Sequence, residues 1–194
     1  MPKKYIVQDA FFRRAKREGY RARSVYKLQE IQEKFKILKR KNSVLDLGSF
    51  PGSWIQYIQE MTHAPIYGVD LQEMKEIPGT TFFHGDATKK EFEDFLRSHN
   101  QTQFDVITSD MAPNTRGIFD VDQFASVELN LLALEIMKKF LKPNGWAVFK
   151  LFRGADFNEF WFEAKKLFPN LKTFKPKSTR ERSFELFCIG RKQK

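Results

Sequence analysis

The sequence predicts an α/β fold: one mostly parallel sheet with helices on both faces. Short apolar runs ending in Gly or Asp alternate with amphipathic stretches of about ten or more residues. The intervals between those runs leave room for crossover helices, which right-handed connections place on the faces of a sheet. The 194 residues, 41% of them hydrophobic and 21 of them Phe, suffice for one substantial core and are too few for two independent ones.

Residues 1–20 are polar and basic, and predict a short helix or a partly ordered arm. Over 24–39, Val25, Leu28, Ile31, Phe35 and Leu38 recur at spacings of three and four, so they share one helical face, with Ser24 as the expected N-cap. Residues 43–47 predict the first strand, closed by Gly48, and a helix carrying Trp54, Ile55 and Ile58 follows. Strands are expected at 66–70, 81–84 and 104–109, with a helix at 90–97 that turns Phe92, Phe95 and Leu96 inward. Asp122 is the expected cap of a longer helix running to about Leu141. Pro143-Asn144-Gly145 reads as a turn before a fifth strand at 146–151, and a helix at 156–168 packs through Phe157, Phe160, Trp161, Ala164 and Phe168. The last two strands, near 171–175 and 184–190, have no space for a crossover helix between them and are expected to be antiparallel neighbours.

Charge and cysteine content narrow the function. The formal charge is +10, and all of the excess lies in residues 1–41, where 14 Lys/Arg face four Asp/Glu. A cationic excess concentrated in this way suits a polyanion, because each neutralised phosphate releases counterions. Cys188 is the single cysteine, so no internal disulfide forms and no oxidising compartment is needed. No run approaches the roughly 18 apolar residues of a membrane helix, and the basic start lacks the apolar run of a secretory signal. Phe11 and Phe12 beside Arg13, Arg14, Lys16 and Arg17 have something of an amphipathic organelle presequence, but Asp9 and Glu18 interrupt it, so cytoplasm is the expectation. The expected division is a basic arm and helix over 1–41 packed on a catalytic domain over 42–194, without a membrane and as a monomer.

Asp46-Leu-Gly-Ser-Phe-Pro-Gly-Ser-Trp54 joins the first strand to its helix. Gly48 and Gly52 let main chain pass close to a ligand. The turn is neither GxGxxG nor a phosphate loop, since no Gly-Lys-Ser/Thr follows; a cofactor without pyrophosphate fits better. Asp70, Asp86 and Asp110 end or follow three strands and should share one edge with this turn. Asp70 is placed to accept hydrogen bonds from a ribose diol, and Asp86 from an adenine amino group. Three carboxylates around one crevice repel one another unless a cationic or donor-rich ligand compensates them. A metal is the rival explanation, weakened because His63, His84 and His99 show no ligand spacing, so no metal is expected.

Arg23-Ser-Val-Tyr-Lys-Leu28, the glycine turn, Gly68-Val-Asp-Leu71, Ser109-Asp-Met-Ala-Pro-Asn114, Val148-Phe-Lys-Leu151 and Ser178-Thr-Arg-Glu-Arg-Ser-Phe-Glu185 follow in order. Together they resemble the FtsJ/RrmJ-type (RlmE-like) ribosomal RNA large-subunit 2'-O-methyltransferases, from about residue 20 to the end. The resemblance implies a Rossmann-like class I fold with a seven-stranded, mostly parallel sheet, one strand antiparallel. It also implies S-adenosyl-L-methionine as cofactor and a uridine 2'-oxygen of large-subunit ribosomal RNA as acceptor, within a subunit or assembly intermediate. The family's Lys-Asp-Lys-Glu tetrad carries over onto Lys27, Asp110, Lys150 and Glu185. Its cofactor contacts carry over onto Gly52, Trp54, Asp70, Asp86 and Asp110, with Gly48, Pro51, Ser53, Leu71 and Ala87 beside them in the same motifs. One departure stands out: Ser49, Phe50 and Ser53 replace small residues of the family's turn, so bulky Phe50 must turn away or reshape the pocket.

A ribose hydroxyl is a poor nucleophile, so a site must align it and stabilise or remove its proton. Lys150 is the central candidate, either as a neutral amine accepting that proton or as a cation orienting the hydroxyl. Asp110 would orient Lys150, and Glu185 and Lys27 would complete the network. Arg13, Arg14, Lys16, Arg17, Arg21 and Arg23 are expected to form a phosphate-binding surface beside this centre, with Lys175, Lys177, Arg180 and Arg182 on its opposite side. The same chemistry on transfer RNA or an mRNA cap, a non-catalytic ribosome-assembly protein of the same fold and a small-molecule methyltransferase are the competing readings.

Overall fold

The computed structural model describes residues 10–113, 117–181 and 183–193. Seven strands form one sheet: β1 (Val44–Leu47), β2 (Ile66–Asp70), β3 (Thr81–His84), β4 (Phe104–Ser109), β5 (Leu141–Phe152), β6 (Lys172–Phe174) and β7 (Glu185–Arg191), in the order β3-β2-β1-β4-β5-β7-β6. Pairing from β3 through β5 is parallel, and β7 runs antiparallel to both β5 and β6. The chain steps outward from β1 to β3 and then returns to β4 on the other side of β1. That reversal opens a crevice at the carboxyl ends of β1 and β4. Because β7 is reversed, its first residue, Glu185, arrives at the same edge.

Among the described residues there are six helices, α1 (Ala10–Arg17), α2 (Val25–Phe35), α3 (Ser53–Met61), α4 (Lys90–Ser98), α5 (Phe119–Phe140) and α6 (Phe157–Leu167); α1 packs through Ala15 on Val25 and Tyr26 of α2, and the others flank the sheet. On one face Leu28 and Ile31 of α2 and Ile55 and Ile58 of α3 pack with Val44, Val106, Val148 and Phe187. On the other, Phe92, Val127, Leu134, Phe160 and Ala164 from α4, α5 and α6 pack with Leu45, Ile107, Phe149, Leu151 and Cys188. Alternation along β5 sends Val148 to one layer and Phe149 and Leu151 to the other, as a strand buried on both faces requires. Leu28 is fully buried, so its truncation to Ala would cost about 2–5 kcal/mol. Among the described residues no helix is long and apolar enough to cross a membrane.

Four local expectations change. Helix α2 stops at Phe35, four residues early, because Lys36 takes a left-handed conformation at φ 54°; Leu38 is instead held by the Gln32 side chain, to which it donates at 2.8 Å. Ser24 does not cap α2 with its side chain, since its hydroxyl lies 2.8 Å from that of Ser53. Helix α5 begins at Phe119 with Ile118 as its cap; Asp122 sits inside the first turn, where its carboxylate accepts the Gly117 amide at 3.0 Å and favours the positive end of the helix. The Pro143–Gly145 turn exists as an excursion within a longer β5, whose pairing with β4 jumps from Leu141 to Trp146.

Candidate active site

Two ion pairs stand at the crevice edge. Lys150, near the end of β5, places its ammonium 3.0 Å from Asp110 Oδ1 and also donates to the Asp110 carbonyl. The Lys150 main chain is fixed from behind by Asn130 of α5, whose amide donates to the Lys150 carbonyl at 2.7 Å. The Asp110 amide donates to Leu47 at the end of β1, so the crossing from β1 to β4 sets the carboxylate's position. The Lys27 ammonium, on α2, lies 2.6 Å from Glu185 Oε1 and donates to Oε2 at 2.8 Å.

Register connects the pairs. Lys150 is opposite Phe187 and Phe152 opposite Glu185, so Lys150 and Glu185 are diagonal neighbours on one face, about 7–8 Å apart at Cα. The Lys27 ammonium also lies 5.9 Å from the centroid of the Phe187 ring. Lys150 and Glu185 are each 8% exposed, which strengthens their electrostatics relative to bulk water. All four predicted catalytic residues therefore converge, from α2, the loop after β4, the end of β5 and the start of β7.

The cofactor candidates are placed less uniformly. Asp70 Oδ2 accepts the Phe50 amide at 2.9 Å and Oδ1 the Gln72 amide at 2.8 Å; each oxygen keeps a lone pair for an outside donor. Asp86 Oδ1 accepts both the amide and the hydroxyl of Thr88. The Thr88 amide, more than its hydroxyl or the Lys89 charge, holds that carboxyl below its ordinary range against partial desolvation. Leu71 is 72% exposed and Ala87 partly buried against the core. Phe50 is 45% exposed, so its ring stands at the surface instead of crowding the turn.

Other residues of the turn serve the chain's own packing. Trp54 is buried, donates from its indole to the Ser24 carbonyl at 2.9 Å and packs 5.9 Å from Phe187; its ring ties α3 to α2 and β7. Ser53 is buried with its hydroxyl turned to Ser24. Gly48 and Gly52 have φ of 75° and 104°. A Cβ on Gly48 would come within 2.7 Å of Met111 Cγ, and one on Gly52 within 2.6 Å of Ile77 Cδ1. Close approach is thus required, but by neighbouring side chains. Pro51 supplies a carbonyl that accepts from Arg21 at 3.1 Å.

Asp46 reads in the sequence as an ordinary strand end, yet it is fully buried at the end of β1. Its Oδ1 accepts the Thr108 hydroxyl at 2.6 Å, and Oδ2 has no hydrogen-bond partner among the described residues. Desolvation, with the charges of Asp110 and Asp70 adding to it, pushes its carboxyl up to about 7, against the Thr108 and Ser49 hydrogen bonds. Only burial reveals it, and burial of a single carboxylate has no signature in the chain. Mutually repelling carboxylates in this crevice suit a cationic ligand rich in donors, and no group of His, Cys, Asp and Glu among the described residues could hold a metal. The residues fit S-adenosylmethionine, a sulfonium with an amino group and a ribose diol.

The basic residues divide. Arg13, Lys16 and Arg17 are exposed on α1. Arg14 is ion-paired to Glu18 at 2.8 Å and lies 4.4 Å from the Tyr26 centroid. Arg21 donates to the carbonyls of Pro51, Lys75 and Glu76, and so clamps the N-terminal segment to the loops around the glycine turn. Arg23 is part-buried and donates to the Ser178 carbonyl. Nor does the late basic loop lie across from α2: Glu30 of α2 accepts the amides of Lys177 and Ser178, and the charges of Arg23 and Arg180 are close enough to repel. Lys175 and Lys177 are exposed. Arg182 lies outside the described residues.

The sequence and fold are similar to those of known proteins. A family model for FtsJ-like methyltransferases matches residues 20–193. Ribosomal RNA large subunit methyltransferase E of Bdellovibrio bacteriovorus is 42% identical over 194 residues, covering 98% of this chain and 99% of the relative. The protein of the same name from Pelagibacter ubique is 44% identical over 183 residues, covering 94% and 90%. That from Methanothrix thermoacetophila is 40% identical, covering 95% and 72%. Among solved structures, a ribosomal RNA methyltransferase from Plasmodium falciparum superposes with a TM-score of 0.80 at 29% identity, over 90% of this chain and 98% of that one. Human methyltransferase-like protein 13, in complex with SAH, shares the fold at a TM-score of 0.57 and 15% identity, over 77% and 71%. The chain belongs to the FtsJ-like methyltransferase family and is an S-adenosylmethionine-dependent methyltransferase of the class I fold.

Proposed function

We propose that this enzyme methylates the 2'-oxygen of a uridine ribose in large-subunit ribosomal RNA. The observation that carries the reading is the convergence of Lys150–Asp110 and Lys27–Glu185, from four separate elements, on the crevice edge. The names of the relatives support ribosomal RNA as substrate, and a 2'-hydroxyl is the feature that RNA has and DNA lacks.

In this reading Asp70 accepts from the cofactor's ribose diol, Asp86 from its adenine amino group, and Asp110 from the methionine end. When bound, the cofactor supplies an electrophilic methyl carbon on sulfur. Lys150, held by Asp110 and by Asn130 behind it, contacts the acceptor 2'-hydroxyl and manages its proton as the oxygen becomes nucleophilic. Asp110 fixes where the ammonium points. Glu185 and Lys27 hold the ribose beside it, their mutual neutralisation leaving little net charge to repel the RNA. Exposed Arg13, Lys16, Arg17, Lys177 and Arg180 bind phosphates, setting affinity more than sequence choice.

The test is methyl transfer from labelled cofactor to ribosomal subunits, free ribosomal RNA and transfer RNA, with mapping of the product. A 2'-O-methyluridine in large-subunit RNA is expected. Methylation of a base would overturn the ribose assignment, and exclusive labelling of transfer RNA would overturn the substrate.

A further inference from the structure

Phe184 and Phe119 form an aromatic pair at the reaction edge. Phe184 immediately precedes Glu185, and Phe119 opens α5. Their ring centroids are 4.5 Å apart with planes at 58°, yet the residues are 60% and 42% exposed. Contiguous apolar patches at a surface mark interaction sites, in contrast to apolar residues scattered singly. The backbone beneath Phe184 is fixed, because its carbonyl accepts the Arg153 amide at 2.9 Å.

Beside the pair lies a cavity of about 460 Å³ lined by Phe184, Glu185, Arg153, Lys175, Phe174 and Glu181, among others. That volume falls within the roughly 300–1,000 Å³ of ligand sites. Arg153 and Lys175 are exposed. The Lys175 ammonium donates to the Ser183 carbonyl at 2.8 Å, which leaves it two further protons. Of the two lining carboxylates, Glu185 is already neutralised by Lys27.

We propose that Phe184, braced by Phe119, stacks on an RNA base next to the ribose being methylated, while Arg153 and Lys175 hold an adjoining phosphate. This rests on the ribose-methylation reading. An exposed phenyl face, a cavity of nucleotide size and flanking cations are the combination that unstacked RNA bases require. The active-site carboxylates and lysines offer no such apolar surface. Stacking would hold a splayed base out of its helix without reading its identity, since every base presents a π-face.

Two measurements on the full-length protein test it. In methyl transfer to ribosomal large subunits lacking the modification, Phe184→Ala should raise the KM for RNA about tenfold, with kcat and cofactor affinity changed less than about twofold. Phe184→Tyr should behave as wild type and Phe184→Leu as Phe184→Ala, separating stacking from mere apolar area. In Phe184→Trp, single-stranded oligouridylate should quench the added indole fluorescence, and an abasic ribose-phosphate oligomer should not. An unchanged KM in Phe184→Ala, full function in Phe184→Leu, or equal quenching by the abasic oligomer would each overturn the proposal. If the wild type methylates no RNA, the ribose reading fails on its own, and the quenching comparison alone decides whether Phe184 stacks on bases.

Discussion

Lys27 and Glu185, 158 positions apart in the chain, form a two-pronged ion pair that joins α2 to the first residue of β7. Their side chains are 15% and 10% exposed, so neither charge could be rehydrated without movement. Lys27→Met should therefore strand a buried carboxylate and destabilise the fold by about 3 kcal/mol. Adding Glu185→Gln should return part of that loss, and urea unfolding of the four proteins in the cycle should show favourable coupling between the two residues. Additive losses would mean that the pair contributes nothing beyond its separate members.

Lys150→Ala is expected to lower kcat by about 10²–10⁴-fold while leaving cofactor affinity within a few-fold. Single-turnover methyl transfer and calorimetric titration with S-adenosylmethionine separate the two. Retention of full activity would remove Lys150 from the chemistry.

Asp46 gives stability a definite pH dependence. Its folded carboxyl sits at about 7, above the roughly 3.9 of an unfolded aspartate. Between those values the folded chain keeps a proton that the unfolded chain has lost, so stability falls as pH rises from about 4 to 7 and levels off above. The upper bound is about 4 kcal/mol. Asp46→Asn should match wild type only at about pH 4 and below, and exceed it by a margin that grows up to about pH 7 in denaturant unfolding. A constant difference across that range would show that Asp46 does not titrate there.

The glycines allow strain to be told from collision. Gly117 has φ of 78° and a Cβ there would meet no neighbour among the described residues, whereas one on Gly48, at φ 75°, would lie 2.7 Å from Met111. Gly117→Ala should cost about 1 kcal/mol from backbone conformation alone. Gly48→Ala should cost more and also weaken cofactor binding, as read by thermal unfolding and titration. Equal costs would mean that Met111 yields freely.

Arginines in the basic N-terminal segment should fall into two classes. Neutralising Arg13, Lys16 and Arg17 together should weaken RNA binding and reduce its salt slope by about one for each phosphate left without its cation. Arg21→Gln should instead lower the melting temperature, because three carbonyls lose their donor. RNA affinity measured from low to high salt, with melting curves, would reveal a reversal of these roles.

Much of this was legible in the sequence for a physical reason. Strand and helix periods are strong wherever a segment is buried, as at Val44–Leu47 or Val25–Phe35, and the four residues that meet at the crevice edge stand in the motifs that carry the family resemblance. What escaped was set by three-dimensional neighbours. Ser24 looks like a cap, but Ser53 is the partner that claims it. Trp54 stands in the glycine-turn motif, but that its ring ties α3 to Phe187 and the Ser24 carbonyl shows only in three dimensions. Arg21 and Arg23 look like phosphate ligands until the loops they bind are folded beside them. Phe184 directly precedes β7 in the chain, but only the placement of α5 brings Phe119 to meet it.

The reversed direction of β7 has a consequence for how activity is lost. The carboxylates of the crevice, Asp46, Asp70, Asp86 and Asp110, come from one contiguous stretch, whereas the Lys27–Glu185 contact is among the most non-local in the molecule. Partial opening that peels α2 from β7 costs less than global unfolding and need not disturb β1, β2 or β4. Such a state would still hold a nucleoside but could not position an acceptor. Under mild denaturant, methyl transfer should accordingly fail before cofactor binding does.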